Sequence, residues 1–404
     1  MTTPATDENE IALCYLTHNH PDVISQILPL IADEYNTLGI DILVYDDSDD
    51  TATLDFVTSF SKEHTNVYYV DSHIVESGDD KMLHLLKGFG LNKSYKYIWP
   101  SKDRCFFSGK TLNDAVNACK QNIYDIVMIA PEHDRWELLT PKVKDVYTSP
   151  AEFFSHYGQL STNWEAMIYK YSTMLAPIDW KELESRSVIS KNCNFNQTVT
   201  VFTRLSEIPT PTVRVIHSLK GERIYSHLAG SMWSDSLFEI WIDKWVSSIS
   251  SLPEIYDPYK LSIIRSETGM PSLFGTTDAI IQHHDNGLLT ESTFQKYESI
   301  WELATDYPVN YVKIILTGDY NRLFHQIIQD FSILLSNQQY DEAYKLFYAN
   351  RWLRSTNDEQ TYNDICRCFD IYKSERNSRG SSILFEGTHS IDEILNKYYS
   401  LRDR

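Results

Sequence analysis

Asp46 and Asp47 stand side by side at the end of the apolar run Ile42-Leu43-Val44-Tyr45, and Ser48-Asp49-Asp50-Thr51 follow at once. Two carboxylates in that position can accept hydrogen bonds from the N–H of a heterocyclic base and from ribose hydroxyls. A local use competes, since Ser48 or Asp50 can cap the helix that follows. Capping accounts for one or two of these acids but not for four. Asp46 and Asp47 are therefore read as functional, and Asp49 and Asp50 as caps. Thr17 and Asp103 share the placement just after an apolar run: Thr17 leads into His18-Asn19-His20-Pro21, and Asp103 sits between Lys102 and Arg104.

Other constellations carry less. His283-His284-Asp285 has the composition of a metal cluster, but neighbours on a helix point about 100° apart and do not easily share one ion. It is read as structural. The chain holds 14 glycines, and none builds a phosphate-binding loop or a Gly-x-Gly-x-x-Gly turn after the first apolar run. Gly-x-Ser-x-Gly and His-Glu-x-x-His are also missing.

These residues need elements to hold them. Residues 11–16 read as a buried strand, with Pro21 at the first position of a helix, where its missing N–H had no partner to lose. Val23, Ile27, Leu30 and Ile31 continue at helical spacing, Pro29 should kink that helix, and Gly39 ends it. Strands follow at 40–45, 66–70, 95–99 and 125–130, separated by helices at 51–63 and 81–91, with a further short strand at 213–216. Alternation of strands and helices, with apolar runs of about five residues, predicts a mainly parallel sheet buried on both faces. Such sheets bind ligands at the carboxyl ends of their strands, where the strand order switches. Thr17, Asp46 and Asp103 all fall there.

From about residue 231 the pattern changes to long amphipathic stretches at 237–249, 291–304, 320–335, 340–349 and 357–374, with a last helix at 391–400. Residues 337–340 read as the turn of a helical hairpin. The expected division is an α/β domain over 1–230 and an all-helical domain over 231–404.

Composition bounds the partners. Lys and Arg total 36 against 56 Asp and Glu, a formal charge of −20 over 404 residues. That balance argues against a general nucleic-acid binder, which needs a net supply of cations for phosphates. The polar, acidic opening predicts no signal peptide, and no run approaches the ~18 apolar residues of a membrane span. Cys14, Cys105, Cys119, Cys193, Cys366 and Cys368 show no metal-ligand spacing and read as reduced thiols of a cytoplasmic protein.

The strand at 11–16 with Thr17-His18-Asn19, followed by the strand ending in Asp46-Asp47-Ser48, resembles the opening of a family 2 glycosyltransferase. The resemblance covers about residues 11–205 and is most specific over the first hundred. It implies a GT-A-like, Rossmann-like domain that binds a nucleotide sugar, with UDP as the expected carrier. It also implies transfer of the sugar to a hydroxyl of a glycan, a lipid-linked glycan or a protein. Thr17, Asn19, Asp46 and Asp47 would then hold base and ribose, with Lys81 near the nucleotide. The family's metal motif reduces here to Asp103, the expected ligand of Mn²⁺ or Mg²⁺. Its neighbours Lys102 and Arg104 could offset diphosphate charge themselves, so metal dependence is expected to be less strict.

The stretch where the family carries its general base falls on Asn192-Cys193-Asn194-Phe195-Asn196-Gln197, which has no carboxylate. Glu132, Asp134 and Glu165 are the substitutes. His217 and His227 lie where the family completes its metal site, though each also suits an ordinary hydrogen-bonded role. Trp99 and Trp164 are placed to stack on sugar. The helical half would shape the acceptor side or mediate homo-oligomers. The rival reading is a transferase-like scaffold that has lost catalysis and supports a partner enzyme.

Overall fold

The computed structural model describes residues 9–73, 78–91, 94–130, 144–186, 189, 193–225, 236–270, 272–337 and 339–350. The expected helices at 357–374 and 391–400, and Cys366 and Cys368, lie outside them. The described residues fall into two units: those within 1–233 together with Asp243–Ile263, and those within 234–242 together with 264–404.

In the first unit β1 (Ile11–Thr17) and β2 (Ile40–Asp46) are buried at every position, as strands covered on both faces must be. The helix α1 (Pro21–Leu38) joins them. Its buried stripe is Val23, Ile27, Ile31 and Tyr35, with Ile24, Leu28 and Ala32 beside it. Leu30, expected on that stripe, is 67% exposed. Pro29 is exposed too, so its ring faces water, and α1 continues through it as one helix. Gly39 closes the helix at φ 82°, a left-handed conformation that suits a residue without Cβ.

Next come α2 (Ala52–Phe60), β3 (Val67–Asp71), α3 (Gly78–Leu86), β4 (Tyr97–Lys102) and the short β5 (Cys105–Phe107). After α4 (Gly109–Gln121) the strands are β6 (Ile126–Ala130), β7 (Val146–Tyr147), β8 (Met167–Lys170), β9 (Val213–His217) and β10 (Arg223–Tyr225). Two helices lie among these, α5 (Pro150–Tyr157) and α7 (Asn196–Glu207), with the short α6 (Trp180–Arg186) between them.

Among the described residues, eight strands form one sheet in the order β3-β2-β1-β4-β8-β6-β9-β7, and β10 pairs antiparallel with β5. The β3-β2-β1-β4 half is wholly parallel. β8 runs antiparallel to both β4 and β6, and β7 antiparallel to β9, so the sheet is mostly rather than wholly parallel. β4 extends past the expected stop at Trp99, with Pro100 opposite Cys14. Within β4 only Tyr97 and Ile98 pair with β8, so from Pro100 onward β4 has an unpaired edge on that side, where a residue without an N–H is tolerated.

The strand order reverses between β1 and β4, because the chain builds outward to β2 and β3 and then returns to the other side of β1. A crevice at the carboxyl ends follows from that topology.

The second unit is helical in its described part. It includes α8 (Thr277–Asp285), α9 (Glu291–Ala304), α10 (Val309–Ile315), α11 (Tyr320–Ser336) and α12 (Tyr340–Asn350), the last two forming the expected hairpin. Its core is aromatic: Trp301 lies 5.5 Å from Phe294 and 5.8 Å from Phe274 between ring centroids. His283 is buried among these rings and bonds the Leu273 carbonyl at 2.9 Å, while His284 meets the Tyr320 hydroxyl at 3.1 Å. The two imidazoles therefore have separate partners.

Candidate functional site

The register brings the ends of four strands level. Thr17 is opposite Asp46, Asp46 opposite Asp71, and Leu16 opposite Lys102, so Asp103, one residue past that last pair, falls level with Thr17.

Asp46 is fully buried. Its Oδ1 accepts from the Ser48 amide at 3.1 Å and the Ser48 hydroxyl at 2.5 Å, and its Oδ2 from the Tyr69 hydroxyl at 3.1 Å. This carboxylate shapes the turn after β2. Burial and the nearby Asp46 charge together push the Tyr69 phenol well up. Asp47 points the other way, to the Nζ of Lys81 from α3, and Lys81 also donates to the Thr17 carbonyl. Lys81 is 2% exposed. Burial pulls its pKa below the usual lysine value, and the Asp47 contact opposes that pull.

The turns after β1 and β2 are laced together. Asn19 exchanges two hydrogen bonds with Asp49: its amide nitrogen donates to Oδ2 at 2.7 Å, and its Oδ1 accepts the Asp49 N–H at 2.9 Å. The Asn19 N–H donates to Ser48 Oγ at 2.8 Å. Asn19 holds φ at 56°, a left-handed conformation that asparagine tolerates better than most residues. His18 Nδ1 faces Asp47 Oδ1 at 2.9 Å and the Asp47 carbonyl at 3.1 Å, while its Nε2 faces the Asn19 amide nitrogen at 3.1 Å. The tautomer with its hydrogen on Nδ1 satisfies all three contacts. Asp50 accepts the Ala52 N–H at 2.9 Å, a cap-like contact at the start of α2.

Asp103 forms the second half of the site. Its Oδ2 accepts the Thr17 hydroxyl at 2.8 Å and His20 Nδ1 at 2.8 Å. The hydrogen bond to Asp103 raises the His20 pKa above its usual value. Asp103 Oδ1 accepts no hydrogen bond among the described residues. Among the described residues no three His, Cys, Asp or Glu side chains stand together as a ready-made metal cage. An oxygen with an open lone pair suits a hard cation that takes its remaining ligands from phosphate and water, as Mg²⁺ does. Lys102 and Arg104 flank it, both half-buried.

Glu165 lies in the turn Trp164–Ala166 before β8 and is fully buried. Its carboxylate pairs with the Arg223 guanidinium from β10, and its carbonyl accepts the Trp99 indole N–H at 2.9 Å. Glu132, Asp134 and His227 lie outside the described residues. His217 is exposed at the end of β9, on the same edge of the sheet as the acids but beyond β8 and β6. Trp99 is a core residue, 1% exposed and stacked on Phe107 at 5.7 Å, so it offers no face to a sugar. Trp164 is half-buried. Asn196 and Gln197 are buried at the start of α7, where Gln197 donates to the Ser161 carbonyl at 3.1 Å.

Thus Thr17, Asn19, Asp46, Asp47, Lys81 and Asp103 converge on one edge, and Glu165 is held by a different partner. Sequence reasoning passed over His20 and His73. His20 could have been found from its place in the same post-strand turn as Thr17. His73 had no such signal, because only the register places the end of β3 beside Ser48.

No protein-family model matches the chain, and no curated protein matches it. Among solved structures the chain is similar to S. aureus TarS 1-349, at 12% identity over 80% of this chain and 92% of that one, with a TM-score of 0.48. It is similar to the mannosyltransferase PcManGT from Pyrobaculum calidifontis in complex with GDP-Man and Mn²⁺, at 12% identity over 74% of this chain and 81% of that one, TM-score 0.42. It is also similar to glucosyl-3-phosphoglycerate synthase from Mycobacterium tuberculosis, at 11% identity over 61% and 82%, TM-score 0.38. A longer S. aureus TarS chain is matched at 14% identity and TM-score 0.44 over 78% of this chain, which spans only 54% of that one. Among the described residues no helix is long and apolar enough to cross a membrane.

Proposed function

We propose that this chain transfers a sugar from a nucleotide sugar, with UDP as carrier, to a hydroxyl acceptor. The observation that carries the reading is the convergence of Thr17, Asp47, Lys81 and Asp103 on the carboxyl edge beside the β1/β4 switch in strand order. In this reading Thr17, Asn19, Asp46 and Asp47 form the floor and wall of the base and ribose pocket, with Asp46 and Asn19 shaping the turns. Lys81 holds Asp47 in place through their ion pair. Lys102 and Arg104 offer fixed positive charge to the diphosphate, which gains negative charge as the sugar leaves.

Asp103 would hold a divalent cation, Mn²⁺ or Mg²⁺, which when bound supplies Lewis-acid stabilisation of the leaving diphosphate. Thr17 and His20 fix the carboxylate so that Oδ1 stays turned away from them. A base must accept the acceptor's proton. Glu132 and Asp134 are the candidates for it, joined by Glu165 where Arg223 releases its carboxylate.

A second reading has an observation of its own. Asp46, Asp47 and Asp103 each already hold protein partners, as they would in a binding module that supports a partner enzyme without turnover. Calorimetric titration with UDP in Mn²⁺, then an assay for release of UDP from donor sugars, separates the two. The transferase reading expects UDP binding weakened at least tenfold by Asp47→Ala, together with slow donor hydrolysis. UDP binding with no turnover on any donor or acceptor favours the scaffold, and no UDP binding overturns the UDP-dependent transferase.

A further inference from the structure

The turn after β2, residues 47–51, is held on one side by His18 and Asn19. On the other side stands His73, just past β3. Its Nδ1 lies 2.7 Å from Asp71 Oδ1, and its Nε2 lies 2.8 Å from the Ser48 carbonyl oxygen. The His73 backbone N–H adds a bond to the same Asp71 oxygen at 3.1 Å. A carboxylate and a carbonyl can only accept, so both ring nitrogens have to donate, and an imidazole donates from both only when protonated. His18 differs, because its Nε2 faces an amide nitrogen that donates to it.

We propose that His73 is a positioning residue: as an imidazolium it latches the turn carrying Asp47 and Asp49 to the end of β3. Ser48 is the point of attachment. Its amide and hydroxyl bind Asp46, its hydroxyl accepts from Asn19, and its carbonyl accepts from His73.

The charges that face the latch are Asp71 on its own strand and Asp46 on β2, both favouring the cation. In the turn itself Asp47 is occupied by Lys81 of α3 and by His18, and Asp49 by Asn19. The Asp71 hydrogen bond raises the His73 pKa and holds that of Asp71 below the usual carboxylate range. A raised histidine pKa gives stabilisation that is complete below the ordinary histidine value and is lost as pH rises through the raised one. Loss of the proton removes a charge-assisted hydrogen bond and leaves one ring nitrogen as an acceptor against an acceptor. The latch stands on its own geometry; its consequence for nucleotide binding rests on the reading above.

The test is amide hydrogen exchange of residues 47–56 in the full chain, corrected for intrinsic exchange, from about pH 6 to about pH 9. Protection of the wild-type turn is expected to fall about three- to tenfold across that range. His73→Gln should show the reduced protection at every pH, with no slope. His73→Lys, charged throughout the range, should restore protection without the slope. His18→Asn should keep the wild-type slope, since His18 is the other histidine in contact with this turn. A flat wild-type profile, or a slope that survives in His73→Gln, overturns the latch.

UDP titration over the same pH series tells the two ideas apart. Loss of the exchange slope with intact UDP binding removes the latch and leaves the function. An intact slope with no UDP binding does the reverse.

Discussion

Among the described residues of the α/β unit, two ion pairs withdrawn from water are built from different cations. Glu165, 0% exposed, pairs with Arg223; Asp47 pairs with Lys81, itself 2% exposed. Arg223 ties β10, and through it β5, to the turn before β8. Its guanidinium stays charged at any ordinary pH and meets the carboxylate through Nη2 on Oε1. Lys81 is a point charge on a flexible stem, its pKa pulled down by burial, and it reaches the turns after β1 and β2 at once. A buried pair is costly to assemble and adds little net stability. For Lys81, beside strand ends at a switch in strand order, the proposed nucleotide site would account for that cost.

The comparison breaks first at Arg223. Arg223→Met strands a buried carboxylate and should cost about 4 kcal/mol of stability, measured by urea denaturation. Adding Glu165→Leu should recover most of that loss, because an apolar pair of similar volume is tolerated where a single charge is not. UDP affinity at low temperature should change little in the double variant. If Glu165 were the base, the double variant would bind UDP yet fail to turn over an acceptor, so the same protein tests that role.

Lys81→Met should cost less, about 2 kcal/mol, since Asp47 keeps His18 and is partly reached by water. Its binding effect should be larger, with UDP affinity down by at least tenfold. Asp47→Asn combined with Lys81→Met should regain stability but not affinity. Recovery of both would mean that this pair is structural like the other, and the contrast between them would vanish.

These two pairs also show what was legible in the sequence. Asp47 announced itself because it follows an apolar run and because parallel strands expose their carboxyl ends in a row. The expected strands at 40–45 and 66–70 each lie within one residue of β2 and β3, since buried strands are short apolar runs bounded by polar residues. Glu165 and Arg223 are separated by 58 positions and no local pattern links them. The same holds for β8, four residues long, which sits between two parallel strands and reverses the sheet's direction. Trp99 was expected beside a sugar because it ends a strand run. β4 continues through Pro100 along the edge that β8 leaves unpaired, so Trp99 stays in the core. Sequence reads what a residue's own segment imposes; it is silent where a distant segment decides.

The smallest effect concerns His20 and Asp103, a pair more exposed than either, since His20 is 30% exposed on its side chain. The Asp103 hydrogen bond raises the His20 pKa, so the folded state holds the proton more tightly than the unfolded chain does. The pair therefore contributes fully below the ordinary histidine value, and its contribution fades as pH rises through the raised one. With solvent screening the loss should be only about 0.5 kcal/mol. Asp103→Asn should flatten that part of the stability-against-pH curve and return His20 to an ordinary titration, both readable by denaturation at a series of pH values and by imidazole NMR. Added Mn²⁺ should shift His20 in the wild type, by drawing on the same carboxylate, and leave it unmoved in Asp103→Asn. A Mn²⁺ effect on His20 that survives in Asp103→Asn would place the cation elsewhere and detach Asp103 from the diphosphate.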